Sequence, residues 1–143
     1  DAAGEALKKI YGSLQSRGKS IVDNLLRFSQ SEFGNASTPL YSNGWVYVPS
    51  KCKAGETCKL HVALHGCQMN PTWIQDKFET LTGYNDWAES NNMIVLYPQS
   101  EQVAPSNPFA CWDWYGFKGQ DYVTQKGVQM AAIKKMIDRV RGL

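Results

Sequence analysis

The apolar positions change their period several times along the chain, and each change predicts an element. Over residues 1–14, Ala6, Leu7, Ile10, Tyr11 and Leu14 recur at three- and four-residue spacing behind a capping Asp1, which predicts an amphipathic helix. Residues 15–43 are polar and irregular, with one short strand near Leu25–Ser29. Gly44–Pro49 is rich in β-branched and aromatic residues and ends at proline, which predicts a second strand. Leu60–His65, closed by Gly66, predicts a third, and its partial alternation suits a strand covered on both faces. Pro71 can open a helix with Trp73, Ile74, Phe78 and Leu81 on one side, and Tyr84–Asn91 predicts another short helix. Met93–Tyr97 is an apolar run closed by Pro98, the mark of a buried parallel strand. Residues 100–120 read as a loop. Residues 121–141 predict the longest helix, with Val128, Ala132, Ile133, Met136, Ile137 and Val140 as its apolar stripe and Lys134, Lys135, Arg139 and Arg141 toward its C-terminal end.

That order of elements is an α/β pattern. It predicts a single domain over 1–143 with three or four mostly parallel strands flanked by helices in a three-layer arrangement, a sheet small enough to be half of a larger one. Hydrophobic residues make up 43% and charged residues 20% of the 143, which excludes disordered, collagen-like and coiled-coil chains. No apolar run approaches the roughly 18–20 residues of a membrane span, so no membrane is expected as partner. A net charge of +2, evenly spread, argues against nucleic acid.

The four cysteines narrow the setting. Cys52 and Cys58 flank a short polar segment, whereas Cys67 and Cys111 lie far along the chain. Four cysteines allow three pairings, and spacing alone does not choose among them. Zinc sites favour CxxC pairs or histidines at ligand spacing, and neither occurs. Disulfides are therefore expected, and with them a secreted, periplasmic or luminal location. Asp1-Ala2-Ala3-Gly4 has neither the basic nor the apolar region of a signal peptide. Asn35-Ala36-Ser37 is a glycosylation sequon that has meaning only in a eukaryotic secretory pathway, and otherwise reads as ordinary loop.

The search for chemistry starts with nucleophiles. There is no Gly-x-Ser-x-Gly, P-loop, GxGxxG or HExxH, and no serine falls on a strand-to-helix elbow. His61 is expected to satisfy hydrogen bonds within the structure. His65-Gly66-Cys67-Gln68 ends a predicted strand, where α/β ligand sites form. It reads either as a tight turn carrying a structural cysteine or as the turn that supplies an oxyanion-hole N–H. Pro108–Phe117 places five aromatics within nine residues. Such a loop either presents an apolar surface to a ligand or folds back over its own rings. A Cys67–Cys111 bond would set the loop beside the turn. A third reading makes His65 the base of an internal triad, but no nucleophile partner is recognisable for it.

The runs LHVALHGCQMN, TGYNDWAESNNMIVLYPQ, NPFACWDWYGF and GVQMAAIKKMI, with DAAGEALKKIYGSL at the start, resemble secreted poly(3-hydroxybutyrate) depolymerases of the single-domain type with a circularly permuted α/β-hydrolase fold. The likeness covers nearly the whole chain, most loosely over 15–43. It implies serine-mediated hydrolysis of a polyester without metal or organic cofactor. It also implies a Ser-Asp-His triad in a portion that this chain does not match, so that the chain would be the C-terminal half of a larger domain. By resemblance, Cys67 donates a backbone N–H to the oxyanion hole, and Cys52–Cys58 and Cys67–Cys111 are the disulfides. Gln68, Trp112, Trp114 and Phe117 then fall at substrate-binding positions, Phe117 standing where a family member places a tryptophan that lines the polymer crevice. The implied partners are the polyester or hydroxyalkanoate oligomers, and either the missing half or a second copy along the sheet edge. A secreted, non-catalytic module that binds apolar polymer through its aromatic loop is the alternative.

Overall fold

The computed structural model describes residues 1–142, which form two compact units interleaved along the chain. The first comprises residues 1–28, 45–63 and 76–97. The second comprises residues 29–44 and 64–75, and the chain from 98 onward.

The first unit is built on regular structure. Helix α1 (Ala2–Tyr11) opens at Asp1, whose Oδ1 accepts the Gly4 N–H at 3.0 Å, and closes at Gly12, where φ is +79°. Leu14 thus falls outside the helix. The sheet contains β1 (Leu25–Ser29), β2 (Asn43–Tyr47), β3 (Lys59–Val62) and β4 (Met93–Tyr97) in the order β1-β2-β4-β3. Strand β4 pairs parallel with β3, His61 facing Val95, and antiparallel with β2, Val46 facing Leu96. The sheet is therefore mixed rather than mostly parallel. An unbroken apolar run reports that a strand is covered on both faces; it fits the parallel pairing with β3 but does not fix the direction of every neighbour.

Helices α2 (Ser50–Lys53), α4 (Lys77–Leu81) and α5 (Tyr84–Ser90) complete this unit. Met93, Val95, Leu96 and Tyr97 of β4 are buried together with Leu7, Tyr47 and Ala88. Each large side chain fully removed from water contributes about 1.5–3 kcal/mol. Helix α1 reaches α5 at Gly4, where a Cβ would lie 2.6 Å from the Trp87 ring, so only glycine permits the approach. The Trp87 indole then donates to Asp1 Oδ2 at 2.8 Å. Strand β3 is half-exposed, unlike the doubly covered strand expected of it, because it is the last strand in the sheet order. It also ends three residues early: Ala63 N still bonds Leu96 O at 2.9 Å, but Leu64 is exposed and His65 has left the ladder.

The second unit has little regular structure. It holds α3 (Pro71–Ile74) and α6 (Val128–Arg141). The single helix expected from Pro71 to Leu81 is divided between α3 and α4. Gln75 turns left-handed (φ +59°) and its N–H closes back on Pro71 O at 3.0 Å, while Trp73 and Leu81 stay exposed. Helix α6 likewise starts later than residue 121. A 3-10 turn at Gln120–Val123 precedes it, and a Cβ on Gly127 would press within 3.1 Å of Asp121 and Tyr122 backbone atoms. The apolar stripe from Val128 is thus the true start of the helix.

In place of a strand ladder, buried side-chain amides satisfy the loop backbone. Gln30 donates to Tyr41 O and Gln99 O and accepts from Gln99 N. Asn107 donates to Cys111 O at 2.8 Å and accepts from Cys111 N at 3.0 Å. Gln129 accepts from Asp113 N at 2.8 Å and donates to Pro39 O at 2.9 Å. Asn70 donates to Ser100 O at 3.1 Å. Among the described residues no helix is long and apolar enough to cross a membrane.

Candidate functional site

The disulfides are Cys52–Cys58, in the first unit, and Cys67–Cys111, in the second, the pairing that the resemblance implies. The second bond joins the 65–68 turn to the aromatic loop. The backbone on each side of it is constrained. Gln68 (φ +59°) follows Cys67 and Ala110 (φ +50°) precedes Cys111, both left-handed without being glycine. Such residues cost of order 1 kcal/mol or more and persist where their surroundings determine them. Here the Gln68 N–H donates to Phe109 O at 2.7 Å, which fixes the turn against the loop.

Cys67 itself is exposed, and its N–H has no hydrogen-bond partner among the described residues. An unpaired backbone donor on an exposed residue at a constrained turn can receive a developing oxyanion. Gln68 is exposed beside it.

His65 is only 2% exposed and acts as a post beneath this turn. Its Nδ1–H donates to Gly66 O at 2.7 Å, which leaves Nε2 to accept the Ser100 N–H at 3.1 Å. Burial lowers its pKa, and the bond to Gly66 opposes that shift in part. The ring is therefore a neutral structural group. Ser100 Oγ lies 3.3 Å from Nε2, but Ser100 is fully buried and its hydroxyl donates to Ala110 O. The pair resembles a Ser–His dyad in composition only, because a nucleophile must be reachable. His61, half-buried in the first unit, sits 3.2 Å from Tyr11 OH and against Tyr84. Ser100 carried no signal in the sequence, since it lies outside any recognisable motif.

The aromatic loop divides into two parts. Trp112 turns inward: its indole donates to His65 O at 3.0 Å, and its ring packs on the imidazole with centroids 5.3 Å apart. It also lines an open pocket of about 140 Å³ with Leu64, Tyr122, Met130 and Ile133. Trp114, Tyr115 and Phe117 form a surface row with centroid spacings of 5.1 and 5.4 Å, and Trp114 is 70% exposed. Asp113 holds this row in place. Its carboxylate accepts the N–H groups of Gly116 (2.7 Å), Phe117 (2.9 Å) and Lys118 (3.0 Å). The sequence singled out the rings and missed Asp113; an aspartate three residues before a glycine was the available signal for a side-chain-capped turn. A second ring pair, Trp73 and Phe109, is also exposed in this unit, with centroids 6.5 Å apart.

The structure thus brings Cys67, Gln68, Cys111 and Trp112 together. Trp114 and Phe117 stand on the same loop, and Cys52–Cys58 closes a separate short loop. The class that this fold and turn define is an α/β protein with a mixed four-stranded sheet, flanking helices and a disulfide-tied turn beyond a strand end. Comparison with known proteins makes the class particular. No protein-family model matches the chain. A poly(3-hydroxybutyrate) depolymerase of Delftia acidovorans is 45% identical over 148 residues, covering 98% of this chain and 28% of the relative. A polyhydroxybutyrate depolymerase of Talaromyces funiculosus is 43% identical over 152 residues, covering 98% and 44%. Among solved structures, a PHB depolymerase variant complexed with an R3HB trimer superposes with a TM-score of 0.89 at 43% identity, covering 96% of this chain and 46% of that one. The PHB depolymerase of Penicillium funiculosum gives 0.86 at 42%, covering 95% and 46%. The chain is homologous to a part of the PHB depolymerases and shares the fold of that part. It spans less than half the length of each of these relatives.

Proposed function

We propose that this chain is the oxyanion and substrate-wall portion of a secreted polyester depolymerase, a serine esterase acting on poly(3-hydroxybutyrate) or its oligomers. The observation that carries the reading is the Cys67 N–H, which has no partner among the described residues and belongs to an exposed residue, at a constrained turn that a disulfide ties to an aromatic loop. In the proposed reaction a serine from a segment outside these 143 residues attacks the ester carbonyl. The triad histidine and aspartate come from the same outside segment. The Cys67 N–H stabilises the tetrahedral oxyanion, and Gln68 lines the approach beside it. Trp114 and Phe117 present a flat apolar surface that suits an uncharged, methyl-bearing chain, while Trp112 supports the turn from beneath. His65, neutral and fully hydrogen-bonded, takes no proton. The chain on its own is then inactive, and the domain is completed by the rest of the protein pairing along the sheet edge. The two disulfides favour an oxidising, extracytoplasmic compartment.

The exposure of Trp114 also favours the alternative, a non-catalytic module that adheres to apolar polymer. Both readings place polymer on the same rings, so retention on polyhydroxybutyrate granules tests the shared surface. Trp114→Ala is expected to weaken retention about tenfold, the loss of a well-exposed aromatic contact, with Phe117→Ala weakening it less. Parental retention by both variants would overturn the surface. Robust ester hydrolysis by the pure 143-residue chain would overturn its assignment as a part without a nucleophile.

A further inference from the structure

The sequon Asn35-Ala36-Ser37 is not used by the proposed function, and the structure places it in a hydrogen-bonded turn. The Asn35 carbonyl accepts the Thr38 N–H at 2.9 Å, and its own N–H donates to Thr38 Oγ1 at 3.2 Å. Its side-chain Oδ1 accepts both the Ser37 N–H at 2.9 Å and the Ser37 hydroxyl at 2.6 Å. Asn35, Ala36 and Ser37 are all exposed. Among the described residues the Asn35 Nδ2 donates to nothing, so it is the one polar atom of this residue that the turn does not employ. The turn also borders an open cavity of about 290 Å³, lined by Gln30, Gly34, Thr38, Tyr41 and Ser42 as well as Asn35.

We infer that Asn35 is the acceptor of an N-linked glycan when the chain passes through a eukaryotic secretory pathway. The residue type and spacing are those of the acceptor motif, which requires a surface loop in a secreted protein. The co-reactant is a lipid-linked oligosaccharide pyrophosphate. The bond formed joins the anomeric carbon of its first sugar to Asn35 Nδ2. The bond broken joins that carbon to the pyrophosphate oxygen, and the lipid pyrophosphate leaves as Nδ2 loses one proton. The Ser37 hydroxyl that bonds Oδ1 orients the amide and forms no bond to sugar. The inference rests on the secreted reading for its occurrence in nature, whereas the competence of Asn35 does not.

The test is to express the full chain behind a secretory leader in yeast and to take its intact mass before and after peptide-N-glycosidase digestion, with peptide mapping. The expected result is a heavier product that collapses on digestion, with Asn35 converted to Asp. Asn35→Gln and Ser37→Ala should each abolish the added mass, while Ser37→Thr should keep it. Because Ser37→Ala leaves Asn35 in place, and Ser37→Thr keeps the fold and the motif, loss through misfolding is distinguishable from loss of the acceptor. A secreted chain with both disulfides formed and Asn35 unmodified would overturn the inference. Occupancy in yeast of a protein that its native host does not export would leave Asn35 an acceptor and refute only the secreted reading.

Discussion

The two units reach a stable interior by opposite routes. The first buries Leu7, Phe78, Trp87, Met93, Val95, Leu96 and Tyr97, with Asn24, Glu79 and Asn85 as its buried polar residues. The second buries Phe33, Ala110, Cys111, Ala132 and Met136, but alongside them Gln30, His65, Asn70, Gln99, Ser100, Asn107 and Gln129. One interior is apolar and non-directional. The other is a network in which the amides of Gln30, Asn70, Asn107 and Gln129 serve particular backbone groups. Apolar packing tolerates many shapes, whereas a hydrogen-bonded network fixes one loop path and loses free energy wherever it is incomplete. The candidate site lies in the second unit, as suits a turn and a loop that must be held without a strand or helix to do so.

The largest effect expected from breaking this contrast is on the Cys67–Cys111 bond, which closes a loop with a sequence separation of 44. Replacing both cysteines by alanine should cost about 4 kcal/mol. Hydrogen exchange should show the protection loss concentrated in the second unit. Met93→Ala in the first unit should cost about 3 kcal/mol in chemical denaturation, through lost burial and a residual cavity.

Glu79 is the exception within the apolar unit. It is 1% exposed, both carboxylate oxygens lack a hydrogen-bond partner among the described residues, and burial with the nearby Asp76 pushes its pKa up to about 7. A carboxyl whose folded pKa lies above its unfolded value binds its proton more tightly when folded, so stability is fully present below about pH 4.5 and is lost as pH rises toward 7. The loss is about 1.4 kcal/mol per pH unit across that window. Glu79→Gln should remove this slope and raise the melting temperature at pH 8, and an unchanged slope would contradict the buried, unpaired carboxyl. Asn107→Ala sharpens the contrast from the other side. It leaves the Cys111 N–H and C=O without their buried partners, at about 2 kcal/mol. The loss should be local, seen as faster proteolysis within residues 100–118.

The legibility of the sequence followed the same division. Strand β4 was readable to the residue, because Met93–Tyr97 is apolar without interruption and Pro98 stops it. The start of α1 was readable from Asp1, and the apolar stripe of α6 from Val128. The loops around Gln75 and Gly127 broke helices that periodicity alone had joined, since a left-handed residue or a close backbone approach leaves no mark on hydrophobic spacing. The direction of β2 was invisible for the same reason. At the candidate site, the Cys67–Cys111 bond and the aromatic loop that it ties to the turn drew attention because cysteine and tryptophan are rare and clustered. Ser100, Asp113, Asn107 and Gln129 did not. Their roles depend on partners up to 90 residues away, and ordinary polar residues give no local sign of such bonds.

The central claim is that these 143 residues supply the oxyanion donor and polymer wall while the nucleophile lies elsewhere. The most direct test is to label the full-length native protein with a serine-directed fluorophosphonate and to map the labelled peptide. The account predicts a single labelled serine in a Gly-x-Ser-x-Gly segment outside this chain. A label on one of the chain's own serines, Ser100 above all, would contradict it.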